Sequence, residues 1–427
     1  LQNSSPRFPS HRYLRWLLVA VAITVCLLVV RSAAIFGFSR LLTTYSLIGG
    51  SVTAAKKAVA ITPKDAEAHY ANAAVLSASQ DPQTSLAEIE RAVALKPADY
   101  RFWQQLGLLR DQLGNSAAAL AAFDEAVKRA PFYARPRWNR GNVLLRMGQY
   151  EAAFIDLCQA AESNPELVPN LLDLAWGVSR GEVALTEELA QIKSEKMRMA
   201  FARFLARRGQ GKEAVAQFAR AGNVPDGVKR EVVEQLLAKG AFGEAFTIWK
   251  ASHEAEAGRE LVQPSIYDGG FEGALEVAGG GFGWRVPRDL QATTISLDQV
   301  QPQSGARALR VEFGGNSNWD RPVVSQLILV EPSKRYQINF AARSQDVVTG
   351  GRPLVVANDA AGAQKRLGQS APLAQGNSDW QFFSFEFIAA ATTNAVVISL
   401  QRENCNSSPC PIFGAISLDN FSVVPLK

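Results

Sequence analysis

The sequence predicts a multidomain chain of the α plus β class. One apolar N-terminal helix leads to a solenoid of stacked helical hairpins, which is followed by a C-terminal antiparallel β-sandwich. Three observations carry this. An uncharged apolar run covers Trp16 to Val30. Prolines recur at Pro63, Pro97, Pro131 and Pro165, each step being 34 residues. From about Gln263, helical periodicity gives way to short alternating runs broken by Gly, Asn, Asp and Pro. A chain of 427 residues is too long for one ordinary core, and 47% apolar with 20% charged residues is the composition of a folded protein. The net charge of +5 comes without a block of like charge or a basic stripe interleaved with aromatics, which argues against nucleic-acid binding.

The first element is a membrane or export signal. Arg7, Arg12 and Arg15 precede the apolar run. Its fifteen residues, at ~1.5 Å each, span roughly 22 Å, short of the ~30 Å hydrocarbon core. Adding Tyr13 and Leu14, with Arg15 and Arg31 snorkelling, makes residues 13–31 a single span. The alternatives are a cleaved signal with Ser32 and Ala34 near the cut, and a buried soluble helix. Arg31, directly after the apolar run, favours an uncleaved anchor. The preceding arginines place a cytoplasmic tail at residues 1–12 and the bulk of the chain in the periplasm, as a single-pass protein of the inner membrane. Arg31, Arg40, Lys56 and Lys57 weaken that asymmetry. Cys405 and Cys410 enclose a loop-like stretch and are expected to form a disulfide, a pairing that persists in an oxidising compartment. Two free thiols are the alternative, and a metal reading lacks further Cys or His nearby.

Alanine stands five residues before each of the four prolines, at Ala58, Ala92, Ala126 and Ala160. A fixed period over several copies means stacked supersecondary units. The best copy runs from Asp99 to Pro131. Trp103, Leu106 and Gly107 mark its first helix, Gly114 its turn, and Ala119, Phe123 and Ala126 its second helix. Residue by residue, this copy resembles a tetratricopeptide repeat. The copy from Ala134 keeps Gly141, Gly148, Ala153, Leu157, Ala160 and Pro165. The copy from Ala66 keeps Ala73, Ile89, Ala92 and Pro97, but has His69 and Tyr70 near the usual Trp. Regular repeats are therefore expected over residues 45–165. Two degenerate hairpins follow over 166–258, where Gly209 and Gly240, Ala214 and Ala245, and Phe218 and Trp249 pair at a step of 31 residues. Such stacks present a concave surface to a protein or peptide. The candidate groove residues are Asn72, Gln104, Asn139 and Asn142.

The last region, residues 264–427, opens with a glycine-dense stretch. A phosphate loop needs a following helix and a Lys; here the glycines run to Pro287 with no Lys. A plain linker would not carry Phe271 and Trp284. Five segments then occur in order: DGGFE at Asp268–Glu272, Gly283-Trp284, VEPSKRYQINFAAR at Val330–Arg343, WQFFSFEF at Trp380–Phe387, and LDNFSV at Leu418–Val423. Together they resemble the carbohydrate-binding-module and galactose-binding-like jelly rolls of bacterial extracellular enzymes. That resemblance implies a sandwich core filled by Phe271, Trp284, Tyr336, Trp380 and Phe382, with Gly279 to Gly281 as a turn. It also implies a structural calcium held by Glu272 and Asp419, whose alternative role is pairing with Arg or capping backbone N–H groups. No other cofactor is implied. Trp319, in a polar loop, is the candidate for stacking on a sugar, with Asp320 and Arg321 beside it.

The three histidines, His11, His69 and His253, lie in separate contexts, and no nucleophile or metalloprotease motif is present. The expected protein is a non-enzymatic, membrane-anchored periplasmic scaffold. Its stack binds a protein partner and its sandwich contacts glycan, in the assembly or export of a surface polysaccharide. The alternatives are a purely protein-binding or structural sandwich, and a glycan-active enzyme.

Overall fold

The computed structural model describes residues 11–79, 81–222, 224–257, 260–277, 281–288, 290–315, 322–361, 365–405 and 410–427. The chain divides into two units, Leu1–Gln191 and Ile192–Lys427.

The first unit contains α1 (His11–Gly49), α2 (Val52–Ile61), α3 (Ala66–Ala78), α4 (Pro82–Leu95), α5 (Tyr100–Gln112), α6 (Ser116–Arg129), α7 (Ala134–Arg146) and α8 (Tyr150–Ser163), then α9 (Val168–Val178) and α10 (Val183–Leu189). The pairs α3/α4, α5/α6 and α7/α8 are the three hairpins that the proline ruler measures. Each crosses where a small residue meets a large one. A Cβ on Gly107 would lie 2.7 Å from the Phe123 ring, and one on Gly141 would lie 2.8 Å from Leu157. The equivalent pair in α3/α4 is Ala73 with Ile89, both fully buried. Gly114 and Gly148 take φ of 80° and 75° in the turns after α5 and α7, a conformation that costs other residues strain.

One position of the ruler repeats a job rather than a residue. His69 Nε2, Trp103 Nε1 and Arg137 Nε each donate to the carbonyl six residues back, of Pro63, Pro97 and Pro131, at 3.0, 2.8 and 2.8 Å. The carbonyl that ends one second helix is thereby tied to the next first helix. The residues that stand in for the usual Trp here keep its N–H donor. Arg137 and Arg140 also hold the buried Asp156, with bonds of 3.0, 2.5 and 2.7 Å.

α1 runs unbroken through the expected end of the span at residue 31 and past the expected start of the stack at 45. Its last turns pack on α2 and α3 as the first helix of a partial hairpin. The Ser39 hydroxyl lies 2.6 Å from that of Thr62 and 3.2 Å from the Ala58 carbonyl. Among the described residues, α1 is the helix long and apolar enough to cross a membrane.

The second unit joins α11 (Glu195–Arg207), α12 (Gly211–Arg220), α13 (Asp226–Ala238) and α14 (Phe242–Ala257) to the strands. Gly209 and Gly240 take φ of 78° and 73°, so the loosened hairpins keep the turn of the regular ones. The division thus falls inside the stretch assigned to degenerate hairpins, not at its end. The reason is aromatic. Trp249 on α14 packs against Tyr267 and Phe282 at ring separations of 5.1 and 5.6 Å. Gly281 lies so close to the Trp249 indole that any Cβ there would overlap it. Gly279 and Gly280 lie outside the described residues.

The strands are β1 (Glu276–Val277), β2 (Arg285–Val286), β3 (Thr293–Asp298), β4 (Ala308–Gly315), β5 (Ser325–Leu329), β6 (Arg335–Thr349), β7 (Pro353–Asp359), β8 (Arg366–Gln369), β9 (Gln381–Ile388), β10 (Ala395–Arg402) and β11 (Ile412–Leu426). They form two sheets, ordered β1-β2-β5-β10-β7-β8 and β3-β4-β11-β6-β9. The core lies between them, and Phe271, Trp284 and Tyr336 are buried in it as expected. Trp284 Nε1 donates to the Asp268 carbonyl at 2.9 Å, and Glu331 N–H donates to the Tyr336 hydroxyl at 2.8 Å.

Trp380 and Phe382 are corrections: neither fills the core. Phe383, Phe385 and Phe387 of β9 face inward, so the period of two sends Phe382 and the preceding Trp380 to the outer face. Phe382 is 72% exposed.

Candidate functional site

In the first unit, α3, α5 and α7 line a cleft of about 300 Å³. Tyr70, Tyr100 and Leu108 give it apolar walls; Arg101, Arg135, Gln104, Gln105 and Asn139 give it donors. Asp99 caps α5 by accepting from Arg101 N–H at 3.1 Å, and also accepts two bonds from the Arg101 guanidinium, at 3.0 and 2.7 Å. These side-chain bonds hold the Asp99 carboxyl at about 2, well below its ordinary range. A further bond of 2.5 Å ties Arg101 to Glu67. Arg101 is thus held in place, while Arg135, one repeat on, is exposed. Burial raises the Tyr70 phenol.

Two of the four expected groove residues, Gln104 and Asn139, line this cleft. Asn72 does not: it is only 3% exposed, and its Oδ1 has no partner among the described residues. Asn142 spends its amide one turn back, on the Trp138 carbonyl at 2.8 Å. Sequence reasoning missed Tyr70, Tyr100 and the two arginines. The ruler held the signal, since Tyr70 and Gln104, Arg101 and Arg135, and Gln105 and Asn139 are each 34 residues apart.

In the second unit, the outer face of the sheet containing β9 carries a second surface. The Trp380 indole donates to the Gln301 carbonyl at 3.0 Å, and the Arg343 guanidinium lies 5.2 Å over its ring. Arg343 is itself held by the Val300 carbonyl at 2.8 Å. Phe382 pairs in register with Ala341, which is too small to shield the ring. Farther across the sheet, Ala415 and Ser417 of the central β11 are small and buried. Arg310 and Glu312 flank them on β4, and Arg343 and Gln345 flank them on β6. A bond of 2.9 Å from Arg310 to Gln345 bridges that floor. The result is an open face on which Trp380 and Phe382 lie beside a row of polar side chains, with Phe413 of β11 also exposed on it.

Glu272 and Asp419 meet at the opening edge of the sandwich. Asp419 Oδ2 accepts from the N–H groups of Gln303 and Ser304, both at 2.9 Å, and its Oδ1 accepts from Asn420 at 2.7 Å. Glu272 Oε1 accepts from Ala306 at 2.8 Å and Arg307 at 3.3 Å. Burial raises the Asp419 carboxyl above its ordinary range, and the charge of Glu272 adds to the rise. Among the described residues no three His, Cys, Asp or Glu side chains group as metal ligands. Trp319, Asp320 and Arg321 lie outside the described residues. Cys405 and Cys410 are joined as a disulfide. Arg402 braces it through bonds to the carbonyls of Gly351 and Cys410, at 2.9 and 2.7 Å.

Residues 70–134 and, overlapping them, 105–168 match the family model for the tetratricopeptide repeat. Residues 263–408 match the one for a carbohydrate binding domain. Protein FlbA of Caulobacter vibrioides is 28% identical over 103 residues, which cover 24% of this chain and 17% of the relative's own length. A structure of Pseudomonas aeruginosa pilF is 17% identical with a TM-score of 0.34, covering 54% of this chain and 95% of that one. MamA of Desulfovibrio magneticus is 18% identical with a TM-score of 0.33, covering 37% and 92%. Likeness at this level says nothing of ligand or partner.

Proposed function

We propose that this chain, which joins tetratricopeptide repeats to a sandwich of the carbohydrate-binding kind, is a non-catalytic scaffold anchored by α1 in the inner membrane with its bulk in the periplasm. In this reading the cleft between α3, α5 and α7 holds a segment of a protein partner. The outer face of the β9 sheet takes a glycan chain, in the assembly or export of a surface polysaccharide. The observation that supports the glycan half is the outward placement of Trp380 and Phe382 on a sheet face that also carries the polar side chains of Arg310, Glu312, Arg343 and Gln345. Aromatic faces can lie against the apolar faces of sugar rings, while the polar row can bond hydroxyls.

Calcium belongs to the same proposal. Glu272 and Asp419 are close enough for one charge to act on the other, and hard carboxylate oxygens suit the ion. They would be its protein side-chain ligands, and the ion would neutralise the paired charge and brace the strand ends.

A polysaccharide array probed with the full chain in detergent tests the glycan half. Binding that falls tenfold or more in Trp380→Ala/Phe382→Ala, a loss of about 1.4 kcal/mol, supports it. If only Trp319→Ala abolishes binding, the ligand sits at residues 316–321. No binding across a broad array leaves a protein-interaction sandwich, and product release from any glycan would make the protein an enzyme.

A further inference from the structure

α1 is inside out where it joins the stack. Its buried face there is hydroxylic: Ser39, Thr43 and Ser46 are all buried, with Ser39 against α2. Its outward face is apolar: Phe38, Leu41, Tyr45 and Ile48 are all exposed, Ile48 at 84%. A helix that ended a stack in water would show the reverse, because solenoid ends need a polar outer face. The four apolar residues fall at steps of 3, 4 and 3, the spacing of a coiled-coil seam. No charge lies within the stripe. Arg40, beside it, turns toward Asp65 and Glu67 at 3.9 and 4.0 Å.

The bilayer does not account for this stripe. Tyr13 to Gly49 is 37 residues, roughly 55 Å of helix at ~1.5 Å per residue, against ~30 Å of hydrocarbon. A bilayer reaching Ile48 would have to take in Arg31, Arg40 and the flank of α1 that packs on α2. About 20 residues from Tyr13 fill the core, which leaves the stripe in the aqueous layer next to the membrane.

We propose that a second copy of this chain covers the stripe, the two α1 helices running parallel as a short two-stranded seam where they leave the membrane. Two copies anchored in one bilayer share direction and depth, so Phe38, Leu41, Tyr45 and Ile48 of each arrive at the same level. A two-fold axis then pairs the stripe with itself. Confinement to the membrane raises the effective concentration, so a seam of three turns suffices. This inference rests on the reading of α1 as an anchor.

The test is cysteine scanning along residues 37–48 of the full chain carrying Cys26→Ser, reconstituted in lipid vesicles and oxidised with copper phenanthroline. Cross-linked dimer should peak for Phe38→Cys, Leu41→Cys, Tyr45→Cys and Ile48→Cys. It should fall severalfold for Arg40→Cys, Thr44→Cys and Leu47→Cys, which are also exposed. Leu41→Glu/Tyr45→Glu should shift the detergent-solubilised chain from dimer to monomer by light scattering. Both positions are exposed, so the fold should survive. Yields without this period, or a wild-type monomer, overturn the proposal. So does cross-linking seen only in whole membranes, which would mean another protein occupies the stripe. Absent cross-linking with protection of Leu41→Cys from a water-soluble maleimide would mean that lipid covers it. Release of the chain by alkaline carbonate would instead refute the anchor, and the scan could then be repeated in solution to judge the seam alone.

Discussion

The hairpins of α3 to α8 and the sheet of β9 encode their faces differently. In the hairpins a residue is read against its counterpart 34 positions away. His69, Trp103 and Arg137 share a role because the ruler aligns them, although their side chains differ. In the sandwich the only ruler is the two-residue alternation of a strand. Alternation says that Phe382 and Phe383 face opposite ways; it does not say which way is inward. A mistaken parity exchanges the core and the outer surface together.

That contrast is most sharply tested by two aromatic residues of one sandwich. Trp284→Ala should cost about 3–5 kcal/mol, since it removes a buried indole that touches Phe271 and Phe421 at 4.9 and 5.0 Å. Phe382→Ala, equally aromatic and equally part of a matched motif, should change stability by less than about 0.5 kcal/mol. Urea unfolding of the full chain, followed by sandwich tryptophan fluorescence, separates the two. Equal losses would place Phe382 in the core after all.

Gly107→Val is the corresponding test of the hairpins. The new side chain meets Phe123, and the expected loss is about 1–3 kcal/mol by overpacking. Phe123→Leu made in the same chain should recover part of it. A wild-type melting curve for Gly107→Val would mean that the helices cross more loosely than Gly107 and Phe123 indicate.

How much was legible follows from these two rulers. The proline period located α3 to α8 and their crossings, because each is a local pattern repeated. The same period held the cleft: Arg101 and Arg135 are one repeat apart, as are Gln105 and Asn139. Choosing residues by amide chemistry instead picked Asn72, which is buried, and Asn142, which bonds its own helix. The five ordered motifs located the sandwich and three of its core aromatics. They could not orient β9, since a strand's inward side is set by its partner sheet. They also could not foresee that Trp249 of α14 would pack on Tyr267 and Phe282, because that contact joins residues of unrelated pattern.

Calcium removal should produce a smaller effect, confined to one region. If Glu272 and Asp419 hold the ion, chelation should lower the sandwich transition by a few degrees. Ligand at 100 times its Kd is worth about 2.7 kcal/mol. Glu272→Gln should abolish the difference, and the helical transition should not move. Scanning calorimetry with EDTA or calcium reads both at once. Indifference of both transitions would leave the two carboxylates as caps for backbone N–H groups.

The smallest effects are expected from pH, with opposite signs in the two regions. Asp99 has its carboxyl lowered from an ordinary 3.8 to about 2 by its bonds to Arg101. Folding therefore favours the ionised form. That contribution is fully present above about pH 4 and is lost as pH falls toward 2. Asp419 is raised above 3.8 by burial and by Glu272, so folding favours its protonated form. Its contribution to sandwich stability is present in acid and is lost as pH rises through the raised value. Between pH 6 and pH 2, Asp99→Ala should flatten the acid limb of the helical transition. Asp419→Asn should remove a gain that the sandwich otherwise makes on mild acidification. Because Asn keeps only one carbonyl-type acceptor for three N–H groups, the diagnostic is the slope with pH, not the absolute stability. A sandwich whose stability falls monotonically with acid, with or without Asp419, would show that the backbone N–H groups outweigh burial at this corner.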